Sequence, residues 1–291
     1  MKLAVIIPCY RVKFKILKLI HECINLFDYV IVVDDCCPQK SGKYVLENIK
    51  NKKLKIIFNY ENLGVGGAIK KGIKYLENKN FDIITKLDGD GQIKSIDAYK
   101  ISEILYYSNY EYANGNRFIF KTKNIPLSRW YLNKLITVYG KICLGKYEIN
   151  DYLNGLISLK KRSIKKINFN NVRNDFFFES DLIYQSRINK LKVMSYPIKI
   201  KYFKEKSNFR PIKEFWKFFI LYIDRFFKRI LRNYFIKSFY FPSIIIIVII
   251  VYNVYFLSTL TEKDIPLIVV GNLFMIIIFF LSDYFNNKNE N

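Results

Sequence analysis

Up to about residue 200, short runs of β-branched and apolar residues alternate with longer mixed segments. The runs at 3–7, 30–33, 55–58, 82–87 and 112–113 have the length and composition of buried strands. Between them, apolar positions recur at helical spacing over 14–25, 44–51, 66–77 and 97–108. Regular alternation of this kind predicts an α/β domain with a mostly parallel sheet and helices on both faces. In such sheets ligands sit beyond the carboxyl ends of the strands, so candidate chemistry is sought there.

Beyond residue 238 the pattern changes, because the chain becomes nearly uncharged. Segments 239–260 and 265–284 are each long enough to cross about 30 Å of hydrocarbon as a helix, and only Thr261-Glu262-Lys263-Asp264 separates them. A buried hairpin of a soluble protein would show a polar face, which the run from Ser243 through Ile244 to Val251 lacks. The expectation is therefore a transmembrane hairpin over 239–285, with a polar tail at 286–291. Between Lys201 and Lys237 stand eleven basic residues against three acidic ones, whereas the turn carries one lysine. By the positive-inside rule both termini are then cytoplasmic, as for a multi-pass protein of the inner membrane. Segment 206–238 interleaves cations with Phe215, Trp216, Phe218, Phe219, Tyr222, Ile223, Phe226, Phe227 and Ile230. That composition suits an amphipathic helix lying on the inner membrane face, the alternative being a helix packed on the globular domain of residues 1–205.

Composition narrows the partners. With 51% hydrophobic and 25% charged residues the chain of 291 folds around a sizeable core. A net charge of +23 points to an anionic partner, although a bias toward Lys, Asn, Ile, Tyr and Phe of the kind that low-GC genomes impose explains part of it. The basic residues crowd beside the apolar hairpin and not on a nucleic-acid module, which argues against nucleic acid and for a bilayer. Five cysteines without a C-x-x-C pair, and one histidine, His21, exclude a disulfide framework or a thiolate zinc site and suit a reducing compartment. The first residues are too short an apolar run for a secretory signal.

Strand one ends in Pro8-Cys9-Tyr10, strand two in Asp34-Asp35 and strand four in Asp88-Gly89-Asp90-Gly91-Gln92, and strand three leads into Asn62-Leu63-Gly64-Val65-Gly66-Gly67-Ala68. All four converge on one sheet edge. Asp88 and Asp90, two apart with glycines between and after them, can turn to a common point and hold a hard divalent cation, with Gln92 adding an amide oxygen or a water. Such an ion would bind a diphosphate. Arg117 and Arg129 carry guanidinium groups, whose paired donors suit phosphate. Glu179 and Asp181 open a helical stretch, where they serve either as base and acceptor-positioning groups or as carboxylates that favour a helix N-terminus.

Pro8-x-Tyr10, Val33-Asp34-Asp35, Asn62-x-Gly64-x-x-x-Ala68 and above all Leu87-Asp88-Gly89-Asp90-Gly91-Gln92 resemble the motifs of family 2 glycosyltransferases with the GT-A fold, a Rossmann-like sheet. The order of Gly115-Asn116-Arg117, Ser128-Arg129, Asp151-x-x-Asn154-Gly155 and Glu179-x-Asp181 resembles the dolichyl-phosphate-mannose-synthase-like branch, which uses polyprenyl phosphates. The resemblance implies a donor pocket lined by Pro8, Tyr10, Asp34 or Asp35, Asn62 and Gly64. It also implies magnesium or manganese on Asp88, Asp90 and Gln92, catalysis resting on Asp88, Asp90, Glu179 and Asp181, and, from their place in the motif order, Arg117 and Arg129 on the acceptor phosphate. The implied reaction is an inverting, metal-dependent transfer from a nucleotide-sugar to a polyprenyl phosphate of undecaprenyl type, for cell-surface glycan synthesis. Asn154-Gly155 stands where Ser-Gly is common, and Cys36-Cys37 where a small polar turn is usual. Transfer to a sugar hydroxyl of a glycan intermediate and a non-catalytic membrane scaffold are the competing readings, and a homo-oligomer is left open.

Overall fold

The computed structural model describes residues 1–120, 127–201, 211–236, 241–259 and 265–289. Strands β1 (Leu3–Cys9), β2 (Tyr29–Asp34), β3 (Leu54–Phe58) and β4 (Ile83–Lys86) alternate with helices α1 (Lys13–Leu26), α2 (Ser41–Asn48), α3 (Gly64–Leu76) and α4 (Ser95–Tyr107). There follow β5 (Tyr112–Asn116), α5 (Leu127–Leu144), β6 (Ile157–Lys160), α6 (Lys161–Ile164), α7 (Phe178–Ile188) and β7 (Val193–Pro197). The strands form one seven-stranded sheet in the order β3-β2-β1-β4-β6-β5-β7.

Every strand read from the sequence is present, and β1 to β4 pair in parallel with one another, whereas β5 is separated from them by β6. The sequence reading missed β6, which runs antiparallel between β4 and β5, and the edge strand β7. Both are short, and Ile157-Ser158-Leu159-Lys160 carries too few residues for a period to emerge. Strand β1 is buried on both faces, so its side chains alternate between two cores. Ala4 and Ile6 join α3, α5 and α7, whereas Leu3, Val5 and Ile7 join α1 and α4. Burial on both faces is why β1 appears as an unbroken apolar run and not as an alternation.

The C-terminal part holds α8 (Pro211–Leu231), a π-helical turn over Arg232–Ile236, α9 (Phe241–Thr259) and α10 (Ile265–Asn289). Helix α8 has two faces. Phe218 and Tyr222 are buried against α5 and α7, while Trp216, Ile220 and Phe227 are more than half exposed. It is thus packed on the globular domain and also presents an apolar, cation-flanked face outward. Tyr222 shares a hydrogen bond with Ser180 of α7 at 2.7 Å. One segment among the described residues, Ile268–Asn286, is by itself long and apolar enough to cross a membrane, against the two expected. Helix α9 packs along α10, and Asn253 and Asn272 exchange side-chain hydrogen bonds of 2.7 and 2.9 Å midway. The intervening turn and the basic residues Lys204, Lys206, Arg210 and Lys237 lie outside the described residues.

Helix α10 is joined to the rest of the protein by a buried ion pair. Both side chains of Arg229 and Asp283 are fully excluded from solvent, with Nη1 and Nη2 donating to the two carboxylate oxygens at 2.7 and 3.0 Å. Arg229 also donates through Nε to the Cys143 carbonyl at the end of α5, and Tyr234 donates to the same carboxylate.

Candidate active site

Parallel strands β1, β2 and β4 present their carboxyl ends on one edge, and this brings Tyr10, Asp34, Asp35, Asp88 and Asp90 together. The two acidic residues at the end of β2 are almost completely buried, and their oxygens are already engaged by the backbone. Asp34 accepts from the amides of Cys37 at 2.7 Å and Gly42 at 2.6 Å, the latter in the first turn of α2, where a carboxylate is favoured. Asp35 accepts from Asn59 Nδ2 and from the amides of Leu63 and Gly64, all within 2.9 Å. The pair therefore shapes the loops around the pocket.

Gly64 opens α3 with a φ of +80°, and a Cβ there would lie 2.5 Å from the Asn174 carbonyl oxygen. Glycine is needed for both reasons. Asn62 Oδ1 accepts from the Gly64 amide at 3.0 Å. The loop of Arg173, Asn174 and Asp175 closes over this corner, leaving a cavity of about 550 Å³ lined also by Asn62, Gly64 and Lys70. Tyr10, just past β1, is half-buried, with the Arg11 guanidinium 5.3 Å from its ring centre.

The Asp88-Gly89-Asp90 turn follows β4. Asp90 Oδ1 accepts from the Gln92 amide at 3.0 Å, and Gly91 turns the chain with a φ of +69°. Burial, with the neighbouring Asp88 charge adding to it, pushes the Asp90 carboxyl up to about 6. The oxygen donors of Asp88, Asp90 and Gln92 are of the kind that magnesium or manganese takes, although among the described residues no three acidic, histidine or cysteine side chains group to hold a metal by themselves. The space for Asp88 exists because residue 155 is glycine: a Cβ there would stand 1.8 Å from Asp88 Oδ2.

Lys86, which sequence reasoning passed over, lies at the centre of the site. Its side chain is 4% exposed, and Nζ reaches Asp88 Oδ1 at 2.6 Å, Glu179 Oε1 at 3.0 Å and the Gly155 carbonyl at 3.0 Å. Burial opposes its charge, yet the two carboxylates outweigh that cost and raise its pKa above the usual lysine range. A lysine inside the strand Ile83-Ile84-Thr85-Lys86, directly before the acidic turn, was the available signal.

The remaining candidates divide. Glu179 faces the acidic turn through Lys86. Asp181, two residues on, turns away to accept from Arg225 Nε at 2.7 Å and the Arg173 amide at 2.8 Å, so it ties α7 to α8. Arg117 is buried and forks onto Asp151, with Nη2 to Oδ1 at 3.0 Å and Nη2 also reaching the Leu153 carbonyl. Its guanidinium holds the Asp151–Gly155 segment in place. Arg129 is half-buried in the first turn of α5, and the side chain of Ser128 beside it lies outside the described residues. Arg117→Ala should accordingly cost about 3–5 kcal/mol of stability by stranding a buried carboxylate, whereas Arg129→Ala, at a half-buried position, should cost less. Thermal unfolding of the two variants side by side checks this.

The fold occurs among sugar transferases. The chain superposes on glucosyl-3-phosphoglycerate synthase of Mycobacterium tuberculosis, solved in complex with Mn2+, uridine diphosphate and glucosyl-3-phosphoglycerate, with a TM-score of 0.57 and 12% identity over 78% of this chain and 79% of that one. A second structure of that protein holds Mg2+ and uridine diphosphate. Residues 4–167 match the family described as Glycosyl transferase family 2, and the chain belongs to that family; it is a glycosyltransferase. Among curated relatives, UDP-N-acetylglucosamine–dolichyl-phosphate N-acetylglucosaminyltransferase of Methanococcus voltae is 27% identical over 68% of this chain and 84% of its own length. Dolichol-phosphate mannosyltransferase of Pyrococcus furiosus is 26% identical over 58% of this chain, which spans about half of that relative, 49%.

Proposed function

We propose that the protein transfers one sugar from a nucleotide-sugar to a polyprenyl phosphate at a membrane surface, with a divalent metal and with inversion. The observation that carries the reading is the grouping of Asp88, Asp90 and Glu179 around Lys86 at the carboxyl edge of the sheet. The two relatives named for dolichyl or dolichol phosphate support the acceptor. The outward apolar face of α8 and the apolar helix α10 support a membrane setting in which the active site lies near lipid headgroups.

Asp88, Asp90 and Gln92 would hold the metal, which when bound neutralises charge on the departing diphosphate. The donor's base and ribose would lie toward Tyr10 and Pro8, in the pocket whose walls Asp34 and Asp35 brace and whose corner Asn62 and Gly64 form. Glu179 borders the acceptor side. A lipid phosphate attacks through an oxygen that is already ionised, so it requires cations such as Arg129 to orient it more than it requires a base. Arg117 and Asp181 would act by holding their segments. Transfer is tested by incubating the full chain in detergent or vesicles with polyprenyl phosphate and a panel of nucleotide-sugars, with and without Mg2+ or Mn2+, and weighing the lipid product. A product formed only on a glycan hydroxyl would replace this acceptor, and donor hydrolysis or transfer of any kind excludes a non-catalytic scaffold.

A further inference from the structure

We propose that Lys86 is a positioning residue that fills a cation place between Asp88 and Glu179, so that a divalent metal is confined to the side of Asp88 shared with Asp90. The proposal rests on the metal-dependent reading above and extends it to a residue outside the metal ligands.

The ammonium of Lys86 has three protons and three acceptors: Asp88 Oδ1, Glu179 Oε1 and the Gly155 carbonyl. Those acceptors belong to three separate parts of the chain, the turn after β4, the loop before β6 and the first turn of α7. Two carboxylate oxygens and a carbonyl oxygen around one point are the ligand set that a hard divalent cation takes. A covalently attached ammonium in that position neutralises the carboxylates and cannot leave with product. It also spends Asp88 Oδ1, while the Asp88 side chain remains 39% exposed on its other side. Metal bound there has one oxygen of Asp88, the Asp90 group and the neutral Gln92 amide to work with, too few ligands to hold it firmly without the donor diphosphate. Lys86 thereby makes metal binding depend on donor binding and keeps Glu179 apart from the metal, on the acceptor side.

Removing the ammonium should have two opposite effects. Manganese binding in the absence of nucleotide should tighten, because two buried carboxylates lose their fixed counter-charge and accept the metal between them. Turnover should fall, because metal in that position is misplaced for the diphosphate. A lysine serving only to stabilise the fold would weaken both. The test uses the full chain in detergent and follows Mn2+ binding by electron paramagnetic resonance, with and without UDP or GDP, alongside steady-state kinetics. Lys86→Met should bind Mn2+ without nucleotide at least about tenfold more tightly than the unaltered protein, with kcat down about 100-fold and donor KM within about threefold. Lys86→Arg should keep the weak nucleotide-free binding, and adding Glu179→Gln to Lys86→Met should abolish the gain. Lys86→Gln carries the same expectation if the methionine variant does not fold. Nucleotide-free affinity in a folded Lys86→Met or Lys86→Gln protein that equals or falls below that of the unaltered protein overturns the proposal. If the unaltered protein takes up no Mn2+ even with a nucleoside diphosphate, the metal-dependent reading falls and this proposal with it.

Discussion

Asp90→Asn should lower kcat by at least about 100-fold while leaving the melting temperature unchanged or raised. Asparagine keeps the shape and can still accept from the Gln92 amide, so the turn after β4 is preserved. The substitution removes one negative charge from a pair that burial and mutual repulsion already disfavour, as the upward shift of Asp90 to about 6 records. Relief of that repulsion stabilises the fold, and the same loss removes a ligand charge that the metal needs. The checks are Mn2+-dependent turnover and thermal unfolding on the same preparation. Near-normal turnover of this variant in the presence of a chelator would sink the metal reading.

Gly155→Ala should be nearly as damaging, with a loss of about 100-fold in kcat, although residue 155 carries no side chain and touches no reactant. A methyl group would overlap Asp88 Oδ2, 1.8 Å from the ideal Cβ position, and would stand 3.1 Å from Lys86 Nζ. Asp88 must then swing off, taking with it the contact to Lys86. The expected signature is a raised requirement for Mn2+, with binding of nucleoside diphosphate in chelator unchanged. A variant with ordinary metal dependence would show that Asp88 moves without consequence and is not a metal ligand.

The sheet and its reactive edge were legible because both are written in local patterns. Strands β1, β2 and β4 are largely apolar runs buried on two faces, and at or within two residues past their ends stand Tyr10, Asp34 and Asp88, which an apolar core does not accept. Roles within the edge were less legible, since they depend on which partner each charge meets. Asp34 and Asp35 resemble ligand contacts in sequence, and in the fold their oxygens accept from backbone amides. Arg117 resembles a phosphate clamp, yet Asp151, 34 residues away, takes its fork. Glu179 and Asp181 are two apart on one helix, and a turn of 200° between them sends one to Lys86 and the other to Arg225. Lys86 went unread because in a chain with 48 basic residues one more lysine draws no notice, even inside a strand.

The Arg229–Asp283 pair has a consequence for how damage to the C-terminal region should be ranked. With α10 in place, Asp283→Ala leaves a guanidinium sealed away from water beside an apolar helix, at a cost of about 3–5 kcal/mol that melting curves would register. Deleting α10 altogether uncovers Arg229 and lets solvent take over the role of the lost carboxylate. A single methyl in place of one carboxylate should therefore harm the folded domain more than the loss of the whole helix. In the growing polypeptide the same logic sets an order of events: α8 emerges first with its charge hydrated, and that charge can be buried only once Asp283 arrives to meet it.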